Sequence, residues 1–144
     1  MYDEQKSKRQ ERAMVNEVTG GLVKHIEVDE KVKLSEQMKE NVAPVILINK
    51  FNVKAEEVDD FIRAWTIQAQ IMKRQPGFIS AQLHHGIGGS SVFLNYAIWE
   101  STEHFRKAVS NPELQSSLYK LPSSTVASPH LFKKVAIPGI CEGE

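Results

Sequence analysis

Two side chains that can donate hydrogen bonds lie four residues apart in a stretch typical of a β-strand. Asn95 carries an amide NH2 group and Trp99 an indole N–H, within the apolar run from Val92 to Trp99. Because side chains alternate along a strand, residues 95 and 99 share a face, and both donors can point at one oxygen atom. Such a pair suits the stabilisation of a negatively charged oxygen on a small molecule. We predict a pocket here, with Asn95 and Trp99 as catalytic residues.

Both residues also have a purely structural interpretation. A tryptophan at the end of a strand packs equally well in a core. An asparagine that stands among Phe93, Tyr96 and Ala97 needs hydrogen-bond partners if it is buried. This requirement favours the pocket for Asn95 and leaves Trp99 open.

A histidine on the preceding strand is the candidate base. The ordinary pKa of histidine, about 6.5, suits the removal of a proton from a phenol, and we assign this role to His84. His84 and His85 are adjacent and must point to opposite faces of a strand, so at most one of them faces a given pocket. An exposed position at the end of a hairpin is the alternative for His84.

The elements that position these residues follow from the apolar pattern after Ala43-Pro44. A β-branched run predicts a first strand, and apolar residues at helical spacing predict a long helix that Pro76-Gly77 ends. Glycines between residues 86 and 89 predict a hairpin between the second and third strands. The predicted elements are a strand Val45–Val53, a helix Ala55–Arg74, strands Phe78–His85 and Val92–Trp99, helices Ser101–Val109 and Asn111–Leu121, and a strand Ser128–Ile137.

This order, βαββαβ with a split second helix, predicts an α+β, ferredoxin-like domain over residues 44–138, with helices on one face of a four-stranded antiparallel sheet. The third strand carries large apolar side chains on both faces, among them Phe93 and Leu94. Helices cover only one face, and a second copy of the same sheet is the simplest cover for the other. We therefore predict a homodimer.

The first 43 residues and the last six, 139–144, lie outside this domain. The N-terminal extension is strongly charged, and residues 3–18 are good helix formers. After Gly20-Gly21, the stretch from Val23 to Leu34 fits either a short strand pair or a second amphipathic segment. We expect the extension to be an arm that packs on the domain or on a partner subunit.

Composition limits the classes of function. The 144 residues suffice for one domain with an appendage, and 18 basic and 18 acidic residues give no net charge. No global field therefore attracts nucleic acid or an anionic membrane. The single Cys141 has no partner for an intrachain disulfide, and no run reaches the roughly 20 apolar residues of a membrane span. With no secretory signal at the N-terminus, these features predict a cytoplasmic protein.

The motif pattern resembles a known family. The resemblance depends on Pro76-Gly77-Phe78, His84, the hairpin glycines, the stretch from Asn95 to Ser101, and Phe105. Together they resemble the antibiotic biosynthesis monooxygenase family of dimeric α/β barrels, over Val45–Ile137. The motif is most similar to the cofactor-free monooxygenases of aromatic polyketide pathways. That resemblance implies oxidation of a phenolic polycycle to a quinone by O2, without metal or flavin.

The resemblance also implies roles for individual residues. Asn95 and Trp99 match the Asn and Trp of the third strand in that branch, and His84 matches its second-strand His. The branch's Tyr falls on Phe105 and its Arg falls near Leu118. A phenol and a cation are therefore missing here.

Four further residues are predicted to bind substrate: Asn49, Phe61, Trp65 and Phe105. Asn49 is a polar interruption of the apolar first strand. Helical spacing leaves open whether Phe61 and Trp65 belong to the core or line a pocket between helix and sheet. The histidines lack the spacing of a metal site, and no metal is predicted.

Two alternative functions remain at this stage. One is a non-catalytic dimeric module that binds a small molecule, which the missing Tyr and Arg favour. The other is haem degradation, because the haem-degrading branch has an Asn at the position of Asn49 and a Trp at Trp99. That branch places an axial His in the following helix, whereas residues 107–110 contain none and His104 comes too early. Haem is held weakly without an axial ligand.

Overall fold

The computed structural model describes residues 23–143, so the helix predicted over residues 3–18 lies outside the described part of the chain. Within residues 23–143 no helix is long and apolar enough to cross a membrane. The strands and α-helices are β1 (Lys24–His25), α1 (Leu34–Gln37), β2 (Val45–Asn52), α2 (Val58–Lys73), β3 (Phe78–His85), β4 (Val92–Trp99), α3 (Thr102–Val109), α4 (Pro112–Leu118) and β5 (Val126–Phe132).

The strands form one sheet in the order β1-β5-β2-β4-β3. β2 lies antiparallel between β4 and β5, and β3 lies antiparallel to β4. The predicted βαββαβ order and ferredoxin-like α+β fold are confirmed. β1 adds a fifth strand, parallel to β5; the sequence left a short strand open in this stretch but did not indicate its pairing with β5.

The long helix packs on one face of the sheet. It begins with a 3-10 turn, Ala55–Glu57, and continues as α2. Phe61 on its apolar side is fully buried, and its ring centroid lies 5.0 Å from that of Phe51 on β2 and 4.8 Å from that of Phe93 on β4. These ring contacts fix α2 over the centre of the sheet.

Local signals set the starts of the later helices. Ser101 Oγ accepts a hydrogen bond from the His104 N–H at 3.1 Å, which caps α3, and Asn111 Oδ1 accepts one from the Glu113 N–H at 2.8 Å, which caps α4. Each hydrogen bond satisfies a backbone N–H of the first turn that has no partner within the helix. The turn from α2 into β3 depends on Gly77, whose φ of 86° is in the left-handed region.

The predicted ends of β5 and α4 are wrong, and β5 also begins at Val126 instead of Ser128. β5 ends at Phe132 instead of Ile137, because Phe132 pairs with Ile46 near the start of β2 and no strand lies beside the residues that follow. α4 ends at Leu118 instead of Leu121, because the backbone tightens there into i to i+3 hydrogen bonds. Leu121 still reaches the core, where it is 8% exposed.

The N-terminal segment from residue 23 to residue 42 packs on the sheet. Neither of the two predicted alternatives describes it fully, since it forms the short β1 and then α1. Val23 and Leu34 are buried in the core. The side chain of Gln37 makes the hydrogen bonds that a neighbouring strand would make at the edge of β5. Its amide nitrogen donates to Leu131 O and its amide oxygen accepts from Leu131 N, both at 2.9 Å.

The two faces of β4 differ as the alternation predicts. Phe93, Asn95, Ala97 and Trp99 face the helices, where all but Asn95 are buried. The other face carries the apolar side chains Leu94 and Ile98, which are half-buried, and Tyr96, which is 36% exposed. Within residues 23–143, α2 and α3 bury their apolar side chains on the first of these two faces.

Candidate active site

Two asparagines meet at the centre of the helix-covered face. Asn49 on β2 pairs in register with Asn95 on β4, so the two side chains project from neighbouring strands towards α2. Trp99 stands four residues further along β4 on the same face and is fully buried. The elements thus bring the two donors of the predicted pocket together with a third polar side chain.

A cavity of about 50 Å³ lies between α2 and the sheet at this point. We call it the amide cavity. The sheet contributes Asn49, Asn95 and Trp99 to its wall, and α2 contributes Trp65, Gln68 and Met72. The cavity is smaller than the roughly 300–1,000 Å³ of most ligand sites, so a fused ring system enters only if the half-buried side chains of α2 move.

Four polar atoms that border the amide cavity have no hydrogen-bond partner among the described residues. They are Asn49 Oδ1, Gln68 Oε1, Asn95 Oδ1 and Trp99 Nε1, and each is buried. A buried polar group without a partner costs about 1–3 kcal/mol of stability, and such groups are rare in native proteins. Their convergence on one cavity indicates a polar site whose hydrogen-bond partners are supplied from outside the fold, by a ligand or by water held in the cavity.

The geometry of Trp99 keeps its N–H available. Its ring meets Phe78 edge-on at a centroid distance of 5.4 Å and Phe105 at 5.9 Å. These two rings hold the indole in place without using its nitrogen. A ligand oxygen can therefore accept from the N–H, and the side-chain amides offer both donors and acceptors to the rest of the ligand.

No titratable side chain borders the amide cavity in the described structure. The pKa shifts that are resolved lie elsewhere: burial raises the pKa of Glu27, and a hydrogen bond from Lys107 lowers the pKa of the exposed Glu103. The cavity can therefore bind an oxyanion through neutral donors, but none of its bordering side chains can accept a proton.

The structure does not bring His84 to this cavity. His84 pairs in register with Leu94, so its exposed side chain lies on the face of the sheet opposite Asn95 and Trp99. Its Nδ1 lies 3.3 Å from Leu94 O. The predicted base is thus on the wrong side of the sheet. His85 is on the helix side, but its ring stacks on Phe93 at 4.1 Å, towards the hairpin.

The other predicted substrate-binding residues divide into three groups. Asn49 and Trp65 border the amide cavity. Phe105 borders a second cavity next to it. Phe61 borders neither, because its ring is fully buried between Phe51 and Phe93 in the core.

Sequence reasoning missed Gln68. It lies on the apolar side of α2, three residues after Trp65 and four before Met72, and its side chain turns to the amide cavity. The signal was present, because a glutamine at helical spacing within an apolar stripe is a buried polar residue in need of a partner.

The residues do not fit haem. His104 lies on the outer surface, with Nδ1 2.7 Å from Ser101 Oγ and Nε2 3.6 Å from Glu100 Oε2. No histidine within residues 23–143 borders the amide cavity or the cavity beside it. An axial ligand is therefore missing on the side where Asn49 and Trp99 lie.

Solved structures share this fold. SnoaB, a cofactor-independent oxygenase from Streptomyces nogalater, is 22% identical with a TM-score of 0.62, over 68% of this chain and 99% of that one. A candidate monooxygenase from Shewanella loihica PV-4 is 31% identical with a TM-score of 0.57, over 66% of this chain and 97% of that one. A candidate antibiotic biosynthesis monooxygenase from Caulobacter crescentus CB15 is 11% identical with a TM-score of 0.60, over 65% of this chain and 92% of that one.

None of the curated proteins matches the chain. A family model does, over residues 44–117, which contain β2 to β4 and the bordering residues of the amide cavity on α2. The match begins at the residue where the sequence places the domain boundary. Together, the family model and the relative that is 31% identical establish the family and support a monooxygenase in general. The chain belongs to the antibiotic biosynthesis monooxygenase family.

Proposed function

We propose that this protein is a cofactor-independent monooxygenase that oxidises an aromatic, polyketide-like phenol with O2 to a quinone. The observation that carries the proposal is the convergence of four unpartnered polar atoms at one cavity between helix and sheet. Trp99 Nε1 is a donor that suits a phenolate oxygen, and the amide oxygens of Asn49, Gln68 and Asn95 are acceptors that suit the hydroxyl groups of a polyphenol. Family membership supports a monooxygenase. The similarity to SnoaB, a cofactor-independent oxygenase, is compatible with chemistry that needs no metal or flavin.

The reaction balances without an added reductant. A ring carbon flanked by aromatic rings loses two hydrogen atoms, one atom of O2 becomes its carbonyl oxygen, and the other atom leaves with the two hydrogens as water. The electrons that the carbon loses reduce both oxygen atoms. The protein's part is to hold the electron-rich phenolate away from water, with the Trp99 N–H and the amide of Asn95 donating to its oxygen.

The substrate's own acidity sets the first step. No side chain that borders the amide cavity can take a proton, so the phenol gives its proton to water before the ring is enclosed. Neutral donors then favour the anion over the phenol. The rate should therefore follow the pKa of the substrate and not that of a protein group.

An oxygen electrode tests the proposal with a set of anthrones and dihydroquinones in chelator-treated buffer. Wild-type protein should consume O2 faster than buffer, and the double variant Asn95→Ala, Trp99→Phe should lose most of the added rate. Uptake equal to that of buffer for every compound would refute the proposal. Under 18O2, the quinone formed from an anthrone should gain one labelled oxygen, whereas a quinone formed from a dihydroquinone should gain none.

A non-catalytic binding module is the second candidate function. It is favoured by the lack of a base at the amide cavity and by the apolar Phe105 and Leu118, which fall where the polyketide branch has Tyr and Arg. A module would bind the same phenols with no O2 uptake, and the double variant would lose binding alone. For haem, a titration with haemin should leave the Soret band unshifted.

We also propose that the protein acts as a homodimer. The sheet face opposite the helices exposes Tyr96 and Phe132 by 36% and 43%, and the half-buried Leu94 and Ile98 lie on it too. An exposed apolar face of this kind favours a second copy as its cover. Light scattering at micromolar concentration should give twice the 16.3 kDa of the chain, and a monomer would contradict the proposal.

A further inference from the structure

A second cavity of about 80 Å³ lies beside the amide cavity. We call it the rear chamber. Its walls come from the sheet, from α2 and from the two short helices α3 and α4, including Phe105, Val109, Leu114 and Leu118. Apart from one asparagine and one glutamine, every residue that borders it is apolar. Away from these two side chains the space is apolar, and water there would find no polar partner.

The rear chamber and the amide cavity are separated by a single layer of side chains. Leu47, Asn49, Phe51, Gln68 and Met72 border both. The polar residues of the rear chamber are thus those that it shares with the amide cavity. Met72 is unbranched and can change rotamer at low cost, so the layer can open without movement of the backbone.

The N-terminal segment contributes to the wall of the rear chamber. Val23 and Leu34 border it, and both are buried, at 4% and 1% exposure. These two residues precede the part of the chain that matches the family, residues 44–117. The segment that precedes the matched region therefore forms part of the wall of the rear chamber.

We propose that the rear chamber binds O2 and holds it next to the amide cavity. O2 is small and apolar, so it gains from a dry apolar space, whereas a polar or charged ligand would lose its hydration without compensation. An apolar cavity of about 150 Å³ is known to hold benzene, so about 80 Å³ accommodates roughly three heavy atoms, enough for O2. The use of this O2 in a reaction rests on the proposed function, but its binding does not.

Paramagnetic relaxation measures the binding of O2 directly. Methyl-labelled protein is compared under O2 and under N2 at the same pressure. The methyl groups of Leu34, Leu114 and Leu121, which border the rear chamber, should relax several-fold faster under O2 than those of Val45 and Val53. All five residues are buried, but Val45 and Val53 border neither cavity. Equal enhancement at all five residues would overturn the proposal.

Filling the rear chamber provides the matched variants. Ala127 borders it and is 4% exposed, whereas Ala108 borders neither cavity and is 2% exposed. Ala127→Val should reduce the O2-dependent relaxation several-fold, and Ala108→Val, which adds the same bulk to the core, should not. If Ala127→Val fails to fold, Leu118→Phe at a half-buried position serves the same purpose. Unchanged relaxation in a folded chamber-filling variant would refute O2 binding.

Kinetics separate this inference from the proposed function. With an oxidisable phenol, Ala127→Val should raise the KM for O2 several-fold and leave kcat at saturating O2 unchanged. If the protein shows the O2-dependent relaxation but no turnover, the O2 site is supported and the proposed oxygenase function is refuted. If Ala127→Val instead leaves the O2-dependent relaxation intact and weakens the binding of alkyl-substituted phenols alone, the alkyl group of the substrate occupies the rear chamber. The proposal of O2 binding there would then be overturned.

Discussion

Replacement of Asn95 by leucine should make the protein more stable and unable to bind a phenolate. Asn95 Oδ1 is buried and has no partner within residues 23–143, so the folded state carries an uncompensated polar group. Leucine has a similar shape and no polar atoms. Its extra methyl bulk faces the amide cavity of about 50 Å³, which gives it room without displacing the backbone.

The magnitude follows from opposing effects. Removal of an unsatisfied buried acceptor contributes about 1–3 kcal/mol, and burial of the added carbon atoms contributes about 1 kcal/mol more. Imperfect packing of the larger side chain costs about 1–3 kcal/mol. The net gain should be about 1 kcal/mol, which raises Tm by about 3 °C for a domain of this size.

Thermal and urea unfolding measure the effect, and Asn52→Leu is the matched control. Asn52 lies on β2 at an exposed position, so its substitution should change the free energy of unfolding by less than about 0.5 kcal/mol. Loss of more than about 1 kcal/mol in Asn95→Leu would refute the reasoning. It would mean that the Asn95 amide is bonded within the fold and does not await a ligand.

Three further predictions concern stability and the pH dependence of the rate. Gly77→Ala should lower the free energy of unfolding in urea by at least about 2 kcal/mol, because φ is 86° and a Cβ would overlap the His104 ring. The control Gly88→Ala, with φ of 71° and open space around it, should cost less. Equal losses in the two variants would exclude the overlap with His104. Burial raises the pKa of Glu27 in the folded state, so the folded protein holds this proton more tightly than the unfolded chain does. The contribution of Glu27 to the free energy of unfolding therefore falls as pH rises from about 4.3 through the folded pKa. Glu27→Gln keeps an acceptor for the Leu34 N–H, 2.8 Å away in wild type, so its stability relative to wild type should rise between about pH 4 and pH 7, and a constant difference would contradict the burial effect. The pH–rate profile should shift with the phenol pKa when the substrate is changed, whereas a profile fixed at one pH would indicate a protein base.

Much of the fold followed from the sequence because its signals are local. The strands Phe78–His85 and Val92–Trp99 have the predicted bounds, since apolar alternation and hairpin glycines define both ends. The end of β5 could not be predicted in this way. It depends on where its neighbour β2 begins, and that is a matter of register between distant segments.

The N-terminal segment was harder for the same reason. β1 is only two residues long and forms because β5 offers it a free edge. The sequence around Gln37 is typical of an exposed helical residue, yet its side chain forms hydrogen bonds with the backbone of Leu131. Short elements of this kind are stable only through tertiary contacts.

The candidate site was predictable on the strands and less so elsewhere. Alternation correctly placed Asn95 and Trp99 on one face, but it could not say which face the helices cover. That choice puts His84 on the far side of the sheet. The apolar residues of α2 predict the helix and its buried side, but they do not indicate Gln68, whose buried polar side chain lies among them.

The indole N–H resonance of Trp99 offers the most direct test that the amide cavity binds a phenolate. The chain has two tryptophans, so the Trp99 and Trp65 signals can be assigned with one variant, Trp65→Phe. Titration with a phenol that cannot be oxidised, above its pKa, should move the Trp99 signal downfield in a saturable way as its N–H gains an acceptor. The same titration of Asn95→Leu should be much weaker. A Trp99 signal that stays unchanged while resonances of His84 and Tyr96 move would place the ligand on the opposite face of the sheet and contradict the account.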